Sequence, residues 1–175
     1  MSAVLAYEKV VDEMTAVLTR KLYGFSDESK PFDFPRFMQY YAFDVIGQIT
    51  FNQNFDMMER ESDTIGLIKG IHGVLGYLAH MGLLPDLHQL IPNTKGKMKR
   101  IRGIVDFTFA QIGRQKKGDG KPTDNSQYTT FLEKLMEMQD AHKVSIVNIC
   151  DAVGSNLGAG SDTTAITLSS ALYYL

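Results

Sequence analysis

The 175-residue chain is 44% hydrophobic and 22% charged, the balance of a single globular domain with a real core and not of a disordered segment. Its net charge of -2 offers no bulk attraction for nucleic acid. Cys150 is the only cysteine, which excludes an intrachain disulfide framework or a cysteine-rich zinc site and favours a reducing compartment.

Ser2 to Leu22 reads as an amphipathic helix. Val4, Leu5, Val11, Met14, Val17, Leu18 and Leu22 form its apolar side, and Glu8, Lys9, Asp12 and Glu13 its wet side. No signal-peptide pattern precedes it, and Met1 abuts the helix with no lead-in, so the expectation is a chain that begins inside a larger protein. Gly24 to Pro35, with two prolines and two serines, reads as a loop. Phe37 to Phe55 predicts a second helix dense in aromatics (Phe37, Tyr40, Tyr41, Phe51) that fill a core. Asp63 to Leu84 predicts a third. Its charge-free run from Gly70 to Pro85 carries too many glycines and histidines for a spanning helix. His72, His80 and His88 recur every eight residues, a spacing that does not converge ligands, so no metal site is expected.

Lys95 to Lys117 predicts a fourth helix, the most basic part of the chain. Its aromatics lie with its aliphatics, so a solvated face is favoured over a nucleic-acid surface, and contact with a membrane surface or an acidic partner is the remaining reading. Gly118 to Ser126 reads as a mobile connection. Thr129 to Glu133 can start a further helix that ends near Asp140. No strand alternation and no repeat appears, so the fold class is all-α.

The last stretch is the informative one. Val144, Val147, Cys150 and Gly154 mark one helical face, and Ile166, Ser169, Ser170 and Tyr173 mark one further on. Between them stand Gly154, Gly158 and Gly160, each costing a helix about 1 kcal/mol relative to Ala. Spacing alone favours two helices joined by a glycine-rich loop. The alternative is one long helix lying against something large and flat, where missing side chains allow close approach. Ala159 and Thr163 then share a face, as do Gly160 and Thr164. Asp162 beside Thr163 puts an acid next to a hydroxyl, the parts needed to deliver a proton, and the hydroxyls can open the helix locally.

Ala159-Gly160-Ser161-Asp162-Thr163-Thr164 resembles the oxygen-activating helix of cytochrome P450 monooxygenases: Ala or Gly, Gly, any residue, Asp or Glu, Thr, then Thr or Ser. Tyr40-Tyr41-Ala42-Phe43-Asp44-Val45-Ile46-Gly47 resembles fungal members, in which such a helix packs under the oxygen-activating one. The resemblance implies one partial P450 domain over residues 1–175, from the fourth lettered helix to partway through the ninth, ending in a long glycine-bearing helix. It implies haem b as cofactor and insertion of one oxygen atom of O2 into a small lipophilic substrate. Electrons would come from NADPH through a P450 reductase. Asp162 and Thr163 become the catalytic pair. Ala159, Gly160, Thr163 and Thr164 border the cofactor, Ala159 and Gly160 keeping its distal face clear. The implied location is the cytosolic face of the endoplasmic reticulum membrane, and Met81 to Pro85 suits either a loop dipping into a membrane surface or a packed helix end.

The family's haem-ligating signature, Phe-x-x-Gly-x-Arg-x-Cys, occurs nowhere in the chain; neither does Glu-x-x-Arg, and there is no tryptophan. The expectation is a fragment that is inactive alone. Two rival readings stand beside it. One is a non-catalytic helical interaction protein descended from a P450. The other is a nucleotide-binding module with a strand at Val144 to Val153, although Gly154, Gly158 and Gly160 do not match Gly-x-Gly-x-x-Gly.

Overall fold

Side-chain caps fix where several helices begin. Asp33 accepts from the Arg36 backbone N–H at 3.1 Å, and Pro35 sits in the first turn, where no N–H is needed. The second helix therefore starts at Phe34, ahead of the expected Phe37. It ends at Phe51 because Asn52 takes a left-handed conformation (φ 53°). Thr130 and Glu133 form a reciprocal capping box where a helix start was expected, and Ser145 accepts from the Asn148 N–H.

The computed structural model describes residues 5–83, 95–116, 128–141 and 143–175. A 3-10 turn, Leu5–Tyr7, leads into α1 (Glu8–Asp27). It is followed by α2 (Phe34–Phe51), α3 (Met57–Arg60), α4 (Leu67–Leu83), α5 (Lys95–Lys116), α6 (Phe131–Asp140) and α7 (Ile146–Tyr173). The described residues contain no strand; Ile146 to Val153 is helical. The expectations for Pro85 to Pro92, for the connection at 118–126 and for the side chains of His80 and His88 fall outside the described residues.

One further boundary and one whole element differ from the expectation. α1 continues through Gly24 to Asp27, because Phe25 is buried, stacked on Phe32 and edge-on to Phe37. α3 is a four-residue helix that local pattern does not announce. Its cap comes from across the fold: Asp44, 1% exposed in the middle of α2, accepts from the N–H groups of Met57 at 3.1 Å and Met58 at 2.9 Å.

The core forms where α2 and α7 run against each other, the most extensive helix contact among the described residues. α2 contributes Phe37, Met38, Tyr40, Tyr41 and Phe43. α7 contributes a stripe at every fourth position: Ile149, Val153, Leu157, Ser161 and Ala165. Of the face marked by Val144, Val147 and Cys150, Val144 and Cys150 pack on this core but Val147 is 61% exposed. A helix that is apolar nearly all round does not declare its buried side; its neighbour selects it. α4 pairs with α5, whose Phe107 meets Phe51 and Phe55 edge-on. No described helix is long and apolar enough to cross a membrane.

Asp44 should be the most sensitive polar position in this core. Asp44→Ala strands two N–H groups and is expected to cost about 1–3 kcal/mol in urea unfolding. Burial, the largest influence, holds the Asp44 carboxyl above the usual carboxylate range, against the two N–H bonds that lower it. Its contribution is therefore fully present below the ordinary aspartate value and declines as pH rises through the raised one. The stability gap between the protein and Asp44→Asn should accordingly be wider at pH 4.5 than at pH 7.5, measured by the same method.

Candidate active site where α2, α4 and α7 meet

α7 passes through its three glycines as an unbroken α-helix. Its hydroxyls bond back to carbonyls four residues earlier without opening it: Ser161 Oγ to Leu157 O at 2.6 Å, Thr163 Oγ1 to Ala159 O at 2.6 Å, Thr167 Oγ1 to Thr163 O at 2.8 Å and Ser169 Oγ to Ala165 O at 2.7 Å. These four hydroxyls are thus satisfied within the helix itself.

About 100° per residue separates neighbours on the helix, and it divides the motif three ways. Gly160 faces α2, where an added Cβ would lie 3.2 Å from Ile46 Cδ1. Gly160, expected with Ala159 beside the cofactor, is half-buried here and lets α7 sit against Ile46. Four positions earlier, Asn156 donates from Nδ2 to the buried Thr50 Oγ1 at 2.9 Å. Ala159, Thr163 and Thr164 are exposed. Asp162 points another way, into the junction with α2 and α4, with its side chain 19% exposed.

In that junction Asp162 Oδ1 accepts from Gln39 Nε2 at 2.7 Å. Gln39 Nε2 also lies 3.0 Å from His72 Nε2, and His72 Nε2 lies 3.7 Å from Asp162 Oδ1. These groups border a cleft of ≈ 620 Å³ that also touches Asp33, Arg36 and Ile166. Sequence reading found Asp162 but not Gln39, which sits among aromatics, nor His72, which was read only for metal spacing. Their convergence depends on how α2 and α4 cross α7, which no local pattern encodes.

The outer side of α7 suits a flat apolar cofactor. Ala159, Thr163 and Ile166 lie along it within two turns, and Ile166 is 66% exposed. A methyl, a hydroxyl and a branched aliphatic there can pack on a ring face while leaving one polar group turned to it. Cys150 does not suit a thiolate ligand at that side. It lies nine residues before Ala159, about 180° around the helix, partly packed on the core. Burial, and secondarily Asp151, push its thiol above the ordinary cysteine value.

The cytochrome P450 family matches the chain over residues 1–175. Pisatin demethylase of Fusarium vanettenii is 38% identical over 181 aligned residues, covering 100% of this chain and 35% of its own length. A cytochrome P450 monooxygenase, pkfB, of Emericella nidulans is 30% identical, with coverage of 100% and 36%. A cytochrome P450 monooxygenase of Aspergillus terreus is 29% identical, with coverage of 100% and 37%. The chain therefore spans little more than a third of the length of these relatives. No solved structure matches it.

The Gly160 contact can be tested by size. Gly160→Ala adds a methyl that meets only the mobile end of Ile46, and its better helix propensity, about 1 kcal/mol, offsets the adjustment. Gly160→Val cannot be absorbed so easily and should destabilise by about 1–3 kcal/mol. Urea midpoints of the two variants check this order.

Proposed function

The chain belongs to the cytochrome P450 family, and on that basis we propose that the whole protein is a haem-thiolate monooxygenase acting on a small lipophilic substrate. Electrons would reach it from NADPH through a P450 reductase, at the cytosolic face of the endoplasmic reticulum membrane. The observation that carries this reading is the placement of one six-residue motif. Ala159 and Thr163 lie on the open side of an unbroken helix, and Asp162 lies one residue round, hydrogen-bonded into the interior junction. An acid and a hydroxyl on adjoining sides of a helix can pass protons between the inside of the protein and a cofactor lying on that helix.

Haem, when bound, supplies the activation of O2. The residues of this chain supply its surroundings. Ala159 is small enough to let the ring lie close, and Ile166 excludes water beside it. Thr163 Oγ1 carries one proton, held by Ala159 O in this structure. That carbonyl is also served by the helix backbone, so the hydroxyl can turn outward and donate without leaving it unpaired. Asp162 stores the proton that replaces it. Thr164, about 100° further round, borders the cofactor but does not carry the proton. Gly160 acts from behind by letting α7 sit against Ile46. A thiolate ligand for haem would have to be a cysteine other than Cys150, whose thiol is held above the ordinary value by burial and which lies about 180° around the helix from Ala159.

Two measurements test this reading. Thr163→Val in the complete protein keeps the shape and removes the hydroxyl. It should leave substrate binding near normal, lower product formation by about 10²–10⁴-fold and raise peroxide release, with Thr164→Val doing less. Unchanged product per electron in Thr163→Val would remove the proton-delivery role. The 175-residue chain alone, mixed with haem, reduced and exposed to carbon monoxide, should give no thiolate-type absorption band. Such a band would mean that Cys150 can bind iron.

A further inference from the structure

Gln39, His72 and Asp162 form the only cluster of described residues in which an imidazole, an amide and a carboxylate meet beside an open cleft. The hydrogen atoms in it are constrained. A carboxamide nitrogen has two N–H donors and no acceptor. At 2.7 Å from Asp162 Oδ1 and 3.0 Å from His72 Nε2, Gln39 Nε2 donates to both. The flipped amide would set an oxygen against the carboxylate, two acceptors at hydrogen-bond distance. His72 Nε2 is then an acceptor, so the ring is neutral and carries its proton on Nδ1. That arrangement cannot survive protonation of the ring. Nε2–H would face a donor at 3.0 Å, while the nearest anion, Asp162 Oδ1, is 3.7 Å away. Closing to a charge-assisted bond requires a shift of about 1 Å and displaces the Gln39 amide.

We propose that His72 and Gln39 form a two-position proton inlet to Asp162. In one position neutral His72 accepts from Gln39, which also holds the Asp162 carboxylate. In the other, His72 has taken a proton from solvent at Nε2 and donates it directly to Asp162 Oδ1. The transfer breaks the His72 Nε2–H bond and forms an Asp162 O–H bond. Imidazolium becomes imidazole, carboxylate becomes carboxyl, and no electrons move. Gln39 then rebinds Nε2 and prevents the proton from returning by the same route. His72 is suited to the solvent end, with its side chain 54% exposed against 19% for Asp162.

The other charged groups of the cleft are Asp33 and Arg36, at the start of α2. Arg36 is engaged through Nε with Tyr40 Oη at 3.1 Å, and Asp33 with the Arg36 N–H. Lys69 lies one turn before His72 on α4 and is exposed. α5 packs on α4, but none of its described residues lines the cleft. His72 is thus the only imidazole among the described residues that line the cleft.

The inlet rests on the monooxygenase reading for its purpose but not for its existence, and the test separates the two. ¹⁵N spectra of the histidine rings in the complete protein, in the diamagnetic carbon monoxide complex or without haem, report the His72 tautomer without turnover. Neutral His72 should be the Nδ1–H form, and Gln39→Leu should abolish that preference. An Nε2–H ring, or one indifferent to Gln39→Leu, overturns the proposal. In the protein with its reductase, the share of consumed O2 released as peroxide should be higher in His72→Gln than in the unaltered protein, with water-forming turnover down about 10²-fold. His72→Gln with unchanged turnover and an unchanged peroxide share also overturns the inlet. A protein that consumes no O2 contradicts the monooxygenase reading, and the ring tautomer then still decides the inlet.

Discussion

Everything at the site depends on how closely α7 lies on α2. Gly160 permits that approach by offering Ile46 no side chain to displace, and Asn156 and Thr50 pin the register with one hydrogen bond. Both contacts fall within a single turn, so they fix rotation as well as distance. A rotation of one residue, about 100°, would turn Thr163 into the junction and Asp162 away from Gln39. The apolar stripe Ile149, Val153 and Leu157 makes the same choice upstream. Interior packing at native density tolerates little slack, so the rotation is set by many contacts acting together.

The chemistry follows from that fixed rotation. The motif faces two environments at once: an exposed outer side, and a junction where polar side chains from two other helices converge. Asp162 and Thr163 are neighbours in sequence but lie on different sides, the arrangement that the proposed proton transfer would use. A loop at Gly154 to Gly160 could have supplied the same residue types without holding them at this angle. Functional groups on a rigid element supported by packing are positioned more narrowly than groups on loops.

The all-α class, the aromatic core of α2 and the starts of α6 and α7 were legible in the sequence, because each has a local cause: periodicity, a capping box or a Ser cap. The continuity of α7 was not legible from spacing, since three glycines argue for a loop and only the contact with Ile46 explains one of them. α3 was hidden because its cap, Asp44, sits 13 positions away. The buried side of α7 was only partly legible, with Val144 and Cys150 on the core but Val147 exposed, because apolar residues surround much of that helix. Asp162 and Thr163 stood out by their motif, but Gln39 and His72 carried no local mark, since their role arises only from the crossing of three helices. Propensity and pattern describe segments; partners belong to the assembled fold.

The central claim is that α7 presents Ala159 and Thr163 to the cofactor and Asp162 to the junction with α2 and α4. A crystal structure of the complete protein with haem bound tests this most directly. The account predicts the haem face within van der Waals contact of Ala159, Thr163 Oγ1 turned to the same side, and Asp162 Oδ1 within hydrogen-bond reach of Gln39 or His72. A haem lying elsewhere, or Asp162 and Thr163 found with exchanged directions, would contradict it.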